Sequence, residues 1–160
     1  MQFATNTASG REVSPLQAIA RGRHTETVSQ ENVDRARRTI EAFARGDLQT
    51  ALQDVRIEVR THRLAPLPDP RTFRGPAGML MAWRDWSAGI EDLEVTVGEL
   101  IDGGHSVVAE IGRRGRRSDS GEEVEEKFWF VYTFFEGELV QQDMLASKRQ
   151  ALKGVAMAQD

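Results

Sequence analysis

At 160 residues, with 39% hydrophobic and 29% charged content, the chain has the length and composition of one ordinary globular domain with a workable core. A net charge of −4 gives no reason to expect nucleic acid as a partner, and the absence of cysteine removes disulfides, thiolate nucleophiles and cysteine-ligated metals. No run approaches the roughly 18 consecutive apolar residues of a membrane span, so no membrane partner is expected. The first residues lack the charged-then-apolar order of a secretory signal, which makes the cytoplasm the default location.

Residues 1–27 read as an N-terminal extension. Met1 to Val13 is polar and unpatterned, and Ser14 to Gly22 spells one short helix with Ser14 as cap and Gly22 as stop. A clearer beginning follows at Val28, where Ser29 can cap a helix and Val28 can pack on Val33. Lysine is scarce, at Lys127, Lys148 and Lys153 only, which hints at a GC-rich bacterial genome. Valine codons can start bacterial chains, so Val28 is the expected natural initiator, with the domain at 28–154 and a tail at 155–160.

The main helix is predicted from about Gln30 to Arg45, with Val33, Ala36, Ile40 and Phe43 at helical spacing and Gly46 as its stop. Asp47 can cap a second, shorter helix with Leu48, Ala51, Leu52 and Val55 on its inner face. Val59 to Leu64 reads as a strand ending at a proline-rich loop, 65–70. A further helix begins near Pro76 with Met79, Leu80, Trp83 and Trp86 on one broad side, up to Gly89. Leu93 to Val97 alternates as a strand, and Asp102-Gly103-Gly104 is a turn into the next one.

From Val107 to Leu145 the chain reads as three consecutive antiparallel strands. If Ser118 to Gly121 form the first loop, Arg113, Arg114, Arg116 and Arg117 stand opposite Glu126, Glu125, Glu123 and Glu122. Four opposite-sign pairs from one register explain the basic run without a nucleic-acid or phosphate site. The register continues with Ile111 opposite Phe128, Ala109 opposite Phe130 and Val107 opposite Tyr132. A two-residue turn at Glu136-Gly137 then sets Phe134 opposite Leu139, Tyr132 opposite Gln141, Phe130 opposite Asp143 and Phe128 opposite Leu145. Alternation puts Phe128, Phe130, Tyr132, Gln141 and Asp143 on one face, and Glu110, Trp129, Val131, Gln142 and Met144 on the other. Both faces are largely apolar, so the chain's own helices are expected on one and a second subunit on the other.

Within this register Asp143 is a carboxylate among aromatics, and desolvation would raise its pKa toward general-base use. A bulge near Gln142 would reverse the parity and leave it solvated. His62, near the end of the first strand, can serve as acid, base or hydrogen-bond donor, or stand as a rim residue without a role. Trp83, Trp86 and Trp129 can stack on a flat ligand or simply pack. No set of histidines and carboxylates has metal-site spacing, and no phosphate-cradling glycine motif or serine elbow occurs, so no cofactor or metal is expected.

Several stretches closely resemble SnoaL-like proteins of the nuclear transport factor 2-like superfamily. They are Ser29 to Val33 leading to Phe43-Ala44-Arg45-Gly46-Asp47-Leu48, the Thr72-Phe73-Arg74-Gly75 entry to the tryptophan helix, Gly104 to Val108, and Phe134 to Val140 followed by Ala151-Leu152. The resemblance implies an α+β cone, a curved, mostly antiparallel sheet wrapped around about three N-terminal helices with a pocket inside, often dimeric through the outer sheet face. The superfamily holds isomerases, cyclases, epoxide hydrolases and noncatalytic binders, so fold alone does not select an activity. Ketosteroid isomerase roles would fall on Thr39, Arg63 and Phe130, all unsuited to them. The strand Ala109-Glu110-Ile111-Gly112-Arg113 lacks the Asp-Arg-Asp arrangement of limonene epoxide hydrolases, and the cyclase base position falls near Ser147.

The first expectation is therefore a homodimeric binder of a small hydrophobic or aromatic molecule, with Phe43, Trp83, Phe128, Phe130 and Gln141 lining the pocket. The alternatives are a cofactor-free isomerase, cyclase or hydratase using Asp143 as base with Tyr132 and His62 orienting the substrate, and an interaction module that binds a protein through its open sheet face.

Overall fold

In the computed structural model, backbone structure is described for residues 15–159 and side chains for residues 29–155. The expectations for residues 1–14 and for the side chain of Val28 lie outside these ranges. The elements run α1 (Pro15–Ala44), α2 (Leu48–Ala51), β1 (Val55–Arg63), β2 (Arg71–Arg74), α3 (Gly75–Ser87), β3 (Ile90–Gly103), β4 (Ser106–Arg117), β5 (Glu123–Phe135), β6 (Glu138–Leu145) and α4 (Lys148–Gln159). The six strands form one sheet in the order β2-β1-β6-β5-β4-β3. All neighbours are antiparallel except β1 and β6, which run parallel. This is the α+β cone.

Three helix boundaries differ from the sequence expectation, the first being that α2 ends at Ala51, so that Val55, expected on its inner face, opens β1. Helix α1 is continuous from Pro15 through Gly22 and Ser29 to Ala44, so Ser29 is an interior helical residue and not a cap. A single mid-helix glycine costs only about 1 kcal/mol relative to alanine, too little to enforce a break in a long helix. At the other end, α4 extends through the residues expected to be a tail. Asp47 does cap α2, accepting a hydrogen bond from Thr50 N at 3.2 Å.

The core lies between the concave face of the sheet and two helices. Ala36, Ile40 and Phe43 of α1 and Met79, Ala82 and Trp86 of α3 pack on Val59, Val107, Ala109, Ile111, Phe130, Leu139 and Met144. Asn32, buried in α1, ties the helix to the β3–β4 turn by donating to Gly104 O at 3.2 Å. On the convex face a smaller apolar patch, Val108, Trp129, Val131 and Leu145, is covered by Ala151 and Val155 of α4. The chain therefore supplies its own cover on part of the face where a second subunit was expected.

The β4–β5 ladder has the register read from sequence, from Arg116 opposite Glu123 through Ala109 opposite Phe130 to Val107 opposite Tyr132. Two of the four expected ion pairs form within it, Arg113 with Glu126 and Arg117 with Glu122. Arg114 and Arg116 turn to the other neighbour, β3, where they meet Glu94, Glu91 and Asp92. Strand β3 is longer than expected because two register shifts interrupt its alternation. Only the regular middle, Leu93 to Val97, shows the period of a strand in the sequence.

The β5–β6 hairpin also begins as expected. Glu136 and Gly137 both adopt positive φ, 51° and 80°, as a tight two-residue turn of this kind requires, and Phe134 faces Leu139. The register then shifts, because Thr133 faces Gln141 and Val140 is left as the extra residue of a bulge. Every side chain beyond it changes face. Gln142 is opposite Tyr132, Asp143 opposite Val131 and Met144 opposite Phe130. This corrects the expected pairing of Phe130 with Asp143 and of Tyr132 with Gln141.

Candidate functional site

The concave face carries a run of aromatic rings contributed by three elements. Phe43 of α1 stacks on Trp83 with centroids 5.3 Å apart, and Trp83 lies 5.0 Å from Trp86, its neighbour on the same face of α3. Trp86 meets Phe128 and Phe130 of β5 edge-on at 5.3 and 5.8 Å. The i, i+3 spacing of the tryptophans on α3 and the i, i+2 spacing of the phenylalanines on β5 aim both pairs at the same space. Four of the five residues expected to line a pocket, Phe43, Trp83, Phe128 and Phe130, are thus brought together. Gln141, the fifth, is on the convex face.

At one margin of this aromatic surface stands Arg113. Its guanidinium lies 4.8 Å from the Phe128 centroid and 5.1 Å from that of Trp86, and its Nε donates to Glu126 Oε1 at 2.9 Å. It also donates to the main-chain carbonyl of Trp86. Arg113 is therefore neutralised and locked in place, linking the β4–β5 hairpin to the end of α3.

Further along the same face the lining becomes polar, with Arg63 of β1, 11% exposed and paired with Asp69 and Asp85, next to a set of uncharged groups. Tyr132 is buried, and burial pushes its phenol pKa upward, which favours the neutral hydroxyl. Gln142 faces it across the β5–β6 ladder, and Thr61 of β1 stands in register beside Gln142 on the parallel side. Thr61 is 0% exposed and Gln142 and Trp86 are each 6% exposed. Among the described residues, Thr61 Oγ1, Gln142 Oε1 and Trp86 Nε1 are the buried side-chain polar atoms without a hydrogen-bond partner. Each such atom costs about 1–3 kcal/mol in desolvation, and Thr61 Oγ1 and Gln142 Oε1, on in-register neighbours, form a pair that a ligand or ordered solvent can complete.

The convex face holds the groups expected to do proton chemistry. Asp143 and His62 are in-register neighbours on β6 and β1. Gln141 Nε2 donates to both Asp143 carboxylate oxygens at 3.1 Å, and His62 Nδ1 is 2.9 Å from Thr72 Oγ1 on β2. Burial raises the Asp143 pKa, with the Gln141 hydrogen bond and the His62 charge pulling it back. Asp143 and His62 are thus together, as the catalytic expectation needed, but the thickness of the sheet separates them from Tyr132.

Gln142 and Thr61 went unassigned in the sequence. The signal for Thr61 is the alternation Val59, Thr61, Arg63 on β1, which puts a hydroxyl on a buried face. Nothing local marks Gln142, because its face depends on the bulge.

Beyond α4 the convex face carries a shallow groove of about 520 Å³, lined by Glu94, Thr96, Glu110, Arg114, Glu125 and Lys127 among others. Its charges are largely paired, with Lys127 Nζ 2.8 Å from Glu110 and Arg114 Nη2 2.7 Å from Glu94. Among the described residues no group of three or more histidines and carboxylates is placed to hold a metal ion, and no helix is long and apolar enough to cross a membrane.

A curved, mostly antiparallel sheet packed against helices on its concave face is the architecture of the nuclear transport factor 2-like class. Residues 36–142 match the SnoaL-like domain, and the chain belongs to that family. Solved structures agree on the fold. An NTF2-like protein of unknown function from Burkholderia pseudomallei is 23% identical, with 77% of this chain and 95% of that one covered at a TM-score of 0.62. A candidate SnoaL-like polyketide cyclase from a Jannaschia species is 15% identical, with 92% and 98% covered at a TM-score of 0.65. IdmH, a candidate polyketide cyclase from Streptomyces antibioticus, is 21% identical, with 77% and 96% covered at a TM-score of 0.60. No curated protein matches the chain significantly.

Proposed function

We propose that this SnoaL-like protein binds a small hydrophobic or aromatic molecule against the concave face of its cone, without catalysing a reaction there. The observation that carries this reading is the composition of that face. A continuous aromatic surface runs from Phe43 to Phe130 and meets uncharged polar groups, Thr61, Tyr132 and Gln142, whereas Asp143 and His62 lie across the sheet. Aromatic walls with a few placed hydrogen-bonding groups are what small-molecule sites use for affinity and orientation.

A cofactor-free proton-transfer enzyme is the second reading, favoured by the burial-raised pKa of Asp143 and by His62 beside it. It would put the chemistry on the convex face and leave Tyr132 out of it. A homodimer would use the polar groove beyond α4, since the apolar patch is already covered.

Native mass spectrometry of protein purified from its own host tests the binding reading. The expected result is one defined small molecule per chain, lost in a Trp83→Ala variant that retains its fold. Retention of the molecule in that variant, together with its loss in Asp143→Asn, would move the site to the convex face.

A further inference from the structure

The bulge at Val140 decides which polar side chain the concave face receives. Without it, Asp143 would face Phe130; with it, Gln142 faces Tyr132 and stands beside Thr61. Thr61 and Gln142 lie on neighbouring strands, roughly 4.8 Å apart in the pairing direction, and their Oγ1 and Oε1 atoms are both buried and unpartnered. Gln142 Oε1 can only accept a hydrogen bond, whereas the Thr61 hydroxyl can donate or accept. One oxygen placed between them completes both only if it donates to Gln142 and accepts from Thr61, and that describes an uncharged hydroxyl.

We propose that Thr61 and Gln142 are a specificity pair that selects ligands carrying a neutral hydroxyl group over their hydrocarbon and carboxylate counterparts. The proposal rests on the binding reading above and names the ligand chemistry of that same face. A hydrocarbon leaves both atoms unpaired. A ketone can satisfy only Thr61. A carboxylate brings lone pairs against Gln142 Oε1 and adds the cost of burying a charge beside Phe73, Phe130 and Phe134, while the cation on this face, Arg63, is already paired with Asp69 and Asp85.

Phenol, toluene and benzoate present the three chemistries on one ring and serve as probes of the ligand-free protein. Binding is followed through the methyl resonances of Val59, Val107, Leu139 and Met144, which report on this part of the interior. Phenol should bind at least tenfold more tightly than toluene and benzoate. Thr61→Val and Gln142→Met should each bring phenol down to the affinity of toluene while leaving toluene unchanged, and Thr61→Ser should keep the preference for phenol.

If toluene binds as well as phenol, the interior binds ligands but the pair does not select them, as when one ordered water already completes both atoms, and the proposal is overturned while the binding reading stands. The same holds if benzoate binds best. If none of the three probes shifts these methyl resonances, both readings fall.

Discussion

The two ladders on either side of β5 begin from equally plain hairpins and diverge within a few residues. On the β4 side, side-chain identity and backbone register agree from the Ser118–Gly121 loop to Val107, because glutamates meet arginines near the loop and apolar residues meet apolar or aromatic ones at most steps beyond it. On the β6 side, one extra residue at Val140 reverses the faces of all that follow, although either parity would look acceptable in sequence. A register over-determined by many pairs is readable, whereas a register set by one bulge is not. Tyr132 and Gln142, two of the polar groups of the proposed binding site, pair across the second ladder.

The largest test strikes the strand that both ladders share. Phe130 is 1% exposed and packs on Trp86, so Phe130→Ala should lower unfolding free energy in urea by about 3–5 kcal/mol. A loss under 1 kcal/mol would mean that the concave face is not the main core.

A comparison within the regular ladder comes next. Arg113→Met removes charge-assisted bonds to Glu126 and the carbonyl of Trp86 from a site where the arginine side chain is 13% exposed, and should cost about 1.5–3 kcal/mol. Arg114→Met breaks a pair in which both partners are more than half exposed and should leave stability close to that of the parent. Equal losses from the two would show that the ladder's charges act only in setting register.

On the irregular side, Thr61→Val replaces an unpartnered hydroxyl by a methyl group of similar shape. The ligand-free variant should gain about 1 kcal/mol, raising the Tm by a few degrees. A fall in Tm would show that the hydroxyl is already satisfied in the native protein.

The smallest effect concerns Asp143, whose folded pKa is raised above the ordinary 3.8 by burial. The folded protein then holds this proton more tightly than the unfolded chain does, so its contribution to stability is present at low pH and is lost as pH rises from 3.8 through the folded value. At pH 7 the ionised carboxylate is a net burden. Asp143→Asn, which can still accept from Gln141, should therefore be as stable as the parent or slightly more so at pH 7, with the advantage vanishing by about pH 3.8. A variant less stable at pH 7 than at pH 4, relative to the parent, would reverse the sign of the shift.

The cone and most of the aromatic cluster on its concave face were legible in the chain alone. Helical spacing marked Phe43, Trp83 and Trp86, period-2 alternation marked Phe128 and Phe130, and the landmarks from Phe43 to Leu48 and from Phe134 to Val140 pointed to the family that residues 36–142 match. These features are local, and each is repeated often enough that one irregularity cannot reverse it.

Only the tertiary structure decided which polar residues face the interior and what covers the outside. Whether Gln142 or Asp143 joins Tyr132 depends on where a single unpaired residue falls in β6. The burial of the Val108–Trp129–Val131–Leu145 patch depends on α4 folding back over the convex face. Both outcomes rest on contacts between segments distant in sequence, each set by one or two residues, and the period of a strand or a helix does not encode where they fall.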